Sequence, residues 1–185
     1  VISLLDERSV IPAERKQTLL AAPTLFQVAR LIGDTLKEVI RTQAEEGQTA
    51  ESAFGATIIV GGQIKGMEPR LFLIYPEGNF IEASNETPFF QAGETKYGRP
   101  IILRAFDPAM SFEDAIKLLY VSFDSTLKAN LAVGMPLDLH AYETNTFKTG
   151  IQRRIPSDDA YFRATSSAWG DALKAAIDEL PDFNF

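Results

Sequence analysis

FGATIIVGGQIKGMEPRLFLIYPEGNFIEASNETPFFQAGETKYG, running from Phe54 to Gly98, is the stretch that decides the fold. It reads as an antiparallel meander. Ala56-Thr57-Ile58-Ile59-Val60 is an almost unbroken apolar run, the pattern of a strand covered on both faces. Gly61-Gly62 closes it. Gly66 then opens the turn into Leu71-Phe72-Leu73-Ile74-Tyr75, a strand of the same character. Pro76-Glu77-Gly78-Asn79 is a tight turn, because proline presets φ at the first central position and Gly78 accepts the left-handed conformation. Phe80-Ile81-Glu82-Ala83 returns, and Phe89-Phe90-Gln91-Ala92 is expected as the next strand. Strands greasy on both faces need a layer above and a layer below, and the flanking sequence must supply them.

On the N-terminal side, Val1 to Ala22, interrupted by Pro12, reads as the end of one helix and a short connection. The absence of an initiator methionine at Val1 sets the expectation that the chain is N-terminally incomplete. Thr24 begins a clear helix, with Gln27 at the capping-box position. Leu25, Val28, Ala29, Ile32, Leu36, Val39 and Ile40 share its apolar face, and Glu45-Glu46-Gly47 ends it. On the C-terminal side, Ser111 caps a helix with Asp114 three residues on, an apolar stripe of Phe112, Ile116, Leu119, Phe123 and Leu127, and a second flank of Leu118, Val121, Ser122 and Ser125. Gly134-Met135-Pro136 is expected to stop it. Leu137 to Tyr142 alternates as a half-buried strand, with Phe147 to Ile155 as its hairpin partner. Asp158-Asp159 opens a last helix whose face is Tyr161, Phe162, Thr165, Trp169, Leu173, Ala176, Ile177 and Leu180, ended by Pro181. Antiparallel strand groups with helices between them make this an α+β chain, sheets inside and helices outside, in a single domain over 1–185.

Composition excludes several function classes. A net charge of −7, with Arg153-Arg154 the only adjacent arginines, is the wrong balance for a nucleic-acid surface. With no cysteine and one histidine, His140, neither a thiolate nor a multi-histidine metal site can form, and no metal or cofactor is expected. No apolar run approaches the roughly 18–20 residues that span a membrane. The glycines from Gly61 to Gly66 are followed by Met67 where a phosphate loop needs lysine, so they read as hairpin glycines. His140 reads as a strand-surface residue, Asp124-Ser125-Thr126 as polar helix positions without a base, and Asp158-Asp159 as a helix start. Gly93-Glu94-Thr95-Lys96 is the richest polar cluster, placing a carboxylate, a hydroxyl and an amine in one turn.

FGATIIVGGQIKG, PRLFLIYPEGNFIEA, TPFFQAGETKYGRPII and YVSFDSTLKANLAVGMPLDL closely resemble the bacterial proteasome-related family called Anbu, predicted proteasome-type proteases of the N-terminal nucleophile hydrolase superfamily. The resemblance runs from about Thr24 to the last helix. It implies a four-layer αββα sandwich whose first strands would precede Val1. It implies an N-terminal threonine nucleophile, activated by its own α-amine or a neighbouring water, acting on peptide or other amide bonds in a cytoplasmic homo-oligomer, ring or open ring. Val1 has no nucleophilic atom, so the expected threonine would lie upstream and no catalytic residue is expected within the chain. Supporting positions carry over. Gly93-Glu94-Thr95 stands where proteasome subunits have Gly-Ser-Gly. Asn130-Leu131-Ala132-Val133-Gly134 stands where they have Asp-x-x-Ser-Gly. Glu94 thus replaces a hydroxyl with a carboxylate, Asn130 keeps hydrogen-bonding capacity without charge, and Val133 loses a hydroxyl. These departures support the alternative of a catalytically weak or silent subunit serving assembly or binding. An unrelated α+β binding module is the reading that remains without the resemblance.

Overall fold

The computed structural model describes residues 1–10, 18–45 and 55–184. Pro12, Glu46, Gly47 and Phe54 lie outside them. The chain divides into two compact units, Val1–Gly93 and Glu94–Phe185.

The first unit contains α1 (Ile2–Val10), a single 3-10 turn at Leu19–Ala21, α2 (Leu25–Glu45), and the antiparallel strands β1 (Ile58–Gly62), β2 (Arg70–Ile74) and β3 (Phe80–Glu82) in the order β1-β2-β3. Thr24 caps α2 by accepting the Gln27 N–H through its hydroxyl at 3.2 Å. The return arm of the capping box is not made, because Gln27 Oε1 is buried without a partner. The face read from the sequence is the one buried. Leu25, Val28, Ala29, Ile32 and Leu36 form one core with Leu5, Ala22, Phe72 and Ile74. Register places Val60 opposite Phe72 and Ile74 opposite Phe80, so these side chains share the sheet face that meets α2. Phe80 is packed edge-on to both Phe26 and Phe72, at centroid distances of 5.2 and 5.7 Å.

Two backbones touch where glycine permits it. A Cβ on Gly33 in α2 would lie 2.3 Å from the Gly78 carbonyl oxygen in the β2–β3 turn. Gly78 adopts φ +85°, as the turn reading requires, and its N–H closes the turn onto the Tyr75 carbonyl at 2.9 Å.

Three readings of the meander are corrected. β1 begins at Ile58 and includes Gly61 and Gly62, which pair with Leu71 and Arg70. It also alternates, leaving Ile59 exposed, whereas β2 buries Phe72, Leu73 and Ile74 consecutively. Phe89-Phe90-Gln91-Ala92 is not a strand: β3 pairs only with β2 in the described sheet, and Pro88, which has no N–H, leads the segment.

The second unit contains α3 (Arg99–Ala105), α4 (Phe112–Ala129), β4 (Leu137–Ala141), β5 (Ile151–Ile155) and α5 (Ala160–Asp178). Its core joins Tyr120, Ile155 and Phe162, with Ile116, Leu127, Leu137 and Leu139 around them. Ser111 caps α4 as expected, accepting the Asp114 N–H at 3.1 Å. Asp159 caps α5, accepting the Phe162 N–H at 2.8 Å. The stripe expected on α4 is only partly buried. Phe112, Leu119 and Phe123 are exposed, and the buried positions are Tyr120, Ser122, Asp124 and Thr126. Gly98 explains the small side: a Cβ there would sit 2.2 Å from Ser122 Oγ and 3.1 Å from Thr126 Oγ1, so α4 meets the start of α3 through hydroxyls and a glycine. α4 ends at Ala129, short of Gly134, because Asn130 turns extended. β5 is shorter than Phe147–Ile155. Asn145, Phe147 and Gly150 have φ of 67°, 50° and 74°, and no ladder continues through such residues. On α5 Phe162 is buried, while Leu173 and Ile177 are exposed; the helix ends at Asp178, where Glu179 caps it, so Leu180 lies beyond it and is exposed too.

Candidate functional site

The polar cluster read from the sequence is drawn together by α4. Gly93 takes φ +79°, a conformation glycine adopts freely, and delivers Glu94 out of the preceding segment. Glu94 Oε1 accepts the Lys96 backbone N–H at 2.8 Å. The Thr95 carbonyl accepts the Arg99 N–H at 3.1 Å, leading the chain into α3. At the other end, Asn130 is the C-cap residue of α4 and donates its backbone N–H to the Thr126 carbonyl at 2.9 Å. Its side chain spans the gap: Nδ2 donates to Glu94 Oε2 at 2.9 Å, and Oδ1 accepts the Ala132 N–H at 2.8 Å. Val133 donates its N–H to the Asn130 carbonyl at 3.2 Å, and Gly134 stands in open space. Two segments 36 residues apart in sequence thus meet through one carboxylate–amide hydrogen bond.

The Lys96 N–H holds the Glu94 carboxyl below the usual range; desolvation opposes this, and Asn130 and the Lys96 charge add to the lowering. The site therefore presents an ionised carboxylate at neutral pH, half-buried and held by two donors. The role of the Lys96 N–H was not read from the sequence. A carboxylate two residues before an N–H in a glycine-led turn was the available signal.

The other polar candidates are committed elsewhere. Asp124 is buried and pairs with Lys128 at 2.9 Å, and the same ammonium reaches Ser166 Oγ on α5 at 3.0 Å. The Thr126 hydroxyl donates to the Ser122 carbonyl at 3.0 Å. Arg153 pairs with Asp159 at 2.7 Å. His140, exposed on β4, contacts the Thr149 carbonyl through Nε2. Two shallow clefts of about 370 and 410 Å³ line the hairpin and share Arg154, whose guanidinium is already engaged by Asp138 at 3.0 Å. Among the described residues no three His, Cys, Asp or Glu side chains gather as a metal site, and no helix is long and apolar enough to cross a membrane. Trp169 Nε1 and Gln91 Oε1 are buried without a partner.

The family described as "Proteasome subunit" matches residues 31–137, which include both halves of the Glu94–Asn130 pair. Among solved structures, Anbu (ancestral beta-subunit) from Yersinia bercovieri is 39% identical with a TM-score of 0.89 over 100% of this chain and 75% of that one. The chain belongs to the Anbu family. Anbu from Hyphomicrobium sp. strain MC1 is 46% identical, with a TM-score of 0.87 and the same coverage of 100% and 75%. Anbu from Pseudomonas aeruginosa, solved as a helical assembly, is 37% identical over 99% of this chain and 74% of that one, with a TM-score of 0.88. No curated protein matches. The fold is therefore the proteasome-type α+β fold, and the chain spans about three quarters of each Anbu protein named here.

Proposed function

We propose that this chain is part of a self-assembling, proteasome-type threonine hydrolase that cleaves peptide or other amide bonds, and that Gly93, Glu94, Thr95, Asn130, Val133 and Gly134 support its active site. The observation that carries the reading is the Glu94–Asn130 hydrogen bond. It joins the two segments that, by family resemblance, flank an N-terminal threonine, and it supplies them with one fixed negative charge. A hydroxyl attacking a carbonyl must lose a proton to a base, and the tethered α-amine, with a pKa near 8, serves at neutral pH. A carboxylate beside that amine favours its protonated form after proton transfer, as a buried acid orients the base in other nucleophile–base pairs. No metal or cofactor takes part, the substrate is a peptide or related amide, and the setting is the cytoplasm.

The test is covalent labelling. The natural full-length protein, incubated with a peptide epoxyketone that captures hydroxyl and amine together, is expected to gain one adduct on its first residue by mass spectrometry. A protein that assembles but stays unlabelled, with a non-nucleophilic first residue, would support the second reading, a silent subunit for assembly or binding. That reading is favoured by Val133, which offers no hydroxyl, and by Asn130, which offers no charge.

A further inference from the structure

Resting on the reading of Glu94 as the site's carboxylate, we propose that Asn130 is its positioning residue: the Asn130 amide fixes the orientation of the Glu94 carboxylate and dictates that the negative charge sits on the loop rather than on the end of α4. Direction comes first from what is anchored. Asn130 closes α4, whose body is held by Tyr120 against Phe162 at 5.3 Å, by the Gly98 contact with Ser122, and by the Asp124–Lys128–Ser166 tie to α5. Glu94 sits on a turn led by a left-handed glycine. The rigid partner positions the adaptable one.

Polarity comes next. Each hydrogen-bonding group of Asn130 serves a different partner. Its N–H serves Thr126, its carbonyl serves Val133, Oδ1 serves Ala132 and Nδ2 serves Glu94. Rotating the amide would set two donors facing at Ala132 and two acceptors facing at Glu94, so only one orientation satisfies the network. An aspartate could keep the Ala132 bond but would place a second oxygen acceptor about 3 Å from Glu94 Oε2, where two carboxylates cannot both stay ionised. A leucine would fill the space and leave Oε2 without its donor. Of the three, only the amide offers Glu94 a donor and the Ala132 N–H an acceptor at once. Of the charged groups on the two segments, Lys96 attracts the Glu94 carboxylate, while Lys128 is engaged by Asp124 and Ser166.

The experiment compares full-length wild type, Asn130→Asp, Asn130→Leu and the reciprocal exchange Glu94→Gln with Asn130→Asp, which rebuilds one carboxylate–amide bond with the charge on the other side. Two readouts are used: the epoxyketone labelling rate, and the pH dependence of the unfolding midpoint with Glu94→Gln as reference. Asn130→Asp is expected to slow labelling about tenfold, the scale of one charge-assisted hydrogen bond, and to reverse the pH dependence: the two carboxylates repel and destabilise the fold at neutral pH, and stability is recovered as pH falls and one of them is protonated. The reciprocal exchange is expected to recover the unfolding midpoint while labelling stays slow, since the bond is restored and the charge is displaced. The proposal is overturned if Asn130→Asp leaves both the labelling rate and the pH profile unchanged, or if the exchange unfolds no later than the worse single variant. A wild type that never labels removes the hydrolase reading, and the pH profiles then decide the positioning role alone. Should Asn130→Asp not fold, a folded reciprocal exchange supports the proposal and an unfolded one overturns it.

Discussion

Glu94 has both carboxylate oxygens engaged, one by its own turn and one by Asn130. Glu94→Gln keeps the shape but removes the charge and leaves one of the two donors without an acceptor, so it is expected to slow epoxyketone labelling and to lower the unfolding midpoint at neutral pH modestly without unfolding the protein. A large loss of stability instead would make Glu94 a structural residue. The same logic governs acid. Glu82, Glu94, Asp114 and Asp159 are all held below ordinary carboxylate values, chiefly by Arg70, the Lys96 N–H, Lys117 and the Phe162 N–H respectively. A carboxyl depressed in the fold contributes stability that is fully present above its unfolded value of about 4, and that is lost as pH falls through the lower folded value. Denaturant unfolding across this range is expected to show stability dropping only below about pH 4. Stability that grew on acidification would contradict these pairings. At this scale Glu94 stands out in the sequence as part of its richest polar cluster, whereas Asn130 could be picked only because resemblance aligned it with a known hydrogen-bond network. Their meeting depends on where α4 ends, which no local pattern reveals.

The element most exposed to a single change is α2, at its contact with the β2–β3 turn. Gly33→Ala would gain about 1 kcal/mol of helix propensity, yet the new methyl would collide with backbone that cannot rotate away, and such overpacking costs about 1–3 kcal/mol. Net destabilisation is expected by chemical denaturation; a stabilised variant would mean the turn yields easily. Phe72→Ala, removing the fully buried ring between α2 and Phe80, is expected to cost about 3–5 kcal/mol by the same measurement. The sequence was informative here because the α2 face and β2 carry strong periodic or continuous apolar signals. On α4 it was right in part: Ile116 and Leu127 of the stripe pack on the core and Ser122 of the small flank is buried, whereas Phe112, Leu119 and Phe123 stay exposed and Thr126, buried beneath Gly98, was not picked. It also overextended β5, since the left-handed backbone at Asn145 and Phe147 leaves no mark in hydrophobic pattern.

For the molecule as a whole, Leu173 and Ile177 on α5, Leu180 just beyond it, and Phe112, Leu119 and Phe123 on α4 remain exposed in the single chain. Apolar side chains in such numbers are what self-association covers. The natural full-length protein is expected to sediment at micromolar concentration as a homo-oligomer, and a monomer there would remove self-assembly from the proposed function. The layer logic, helices against antiparallel sheets, was legible from the order of elements alone. The division at Gly93–Glu94 was not, because no composition change or linker marks it.

Trp169, with its indole N–H buried and unpartnered, is the one tryptophan of the sequence, and it lies in the second unit. Its fluorescence emission therefore follows the surroundings of a side chain in Glu94–Phe185. Circular dichroism weights both units, since each carries long helices. An emission trace that coincides with the dichroism trace during denaturation identifies one cooperative transition, and an offset between them resolves two. The chain carries its own optical label for asking whether its halves melt together.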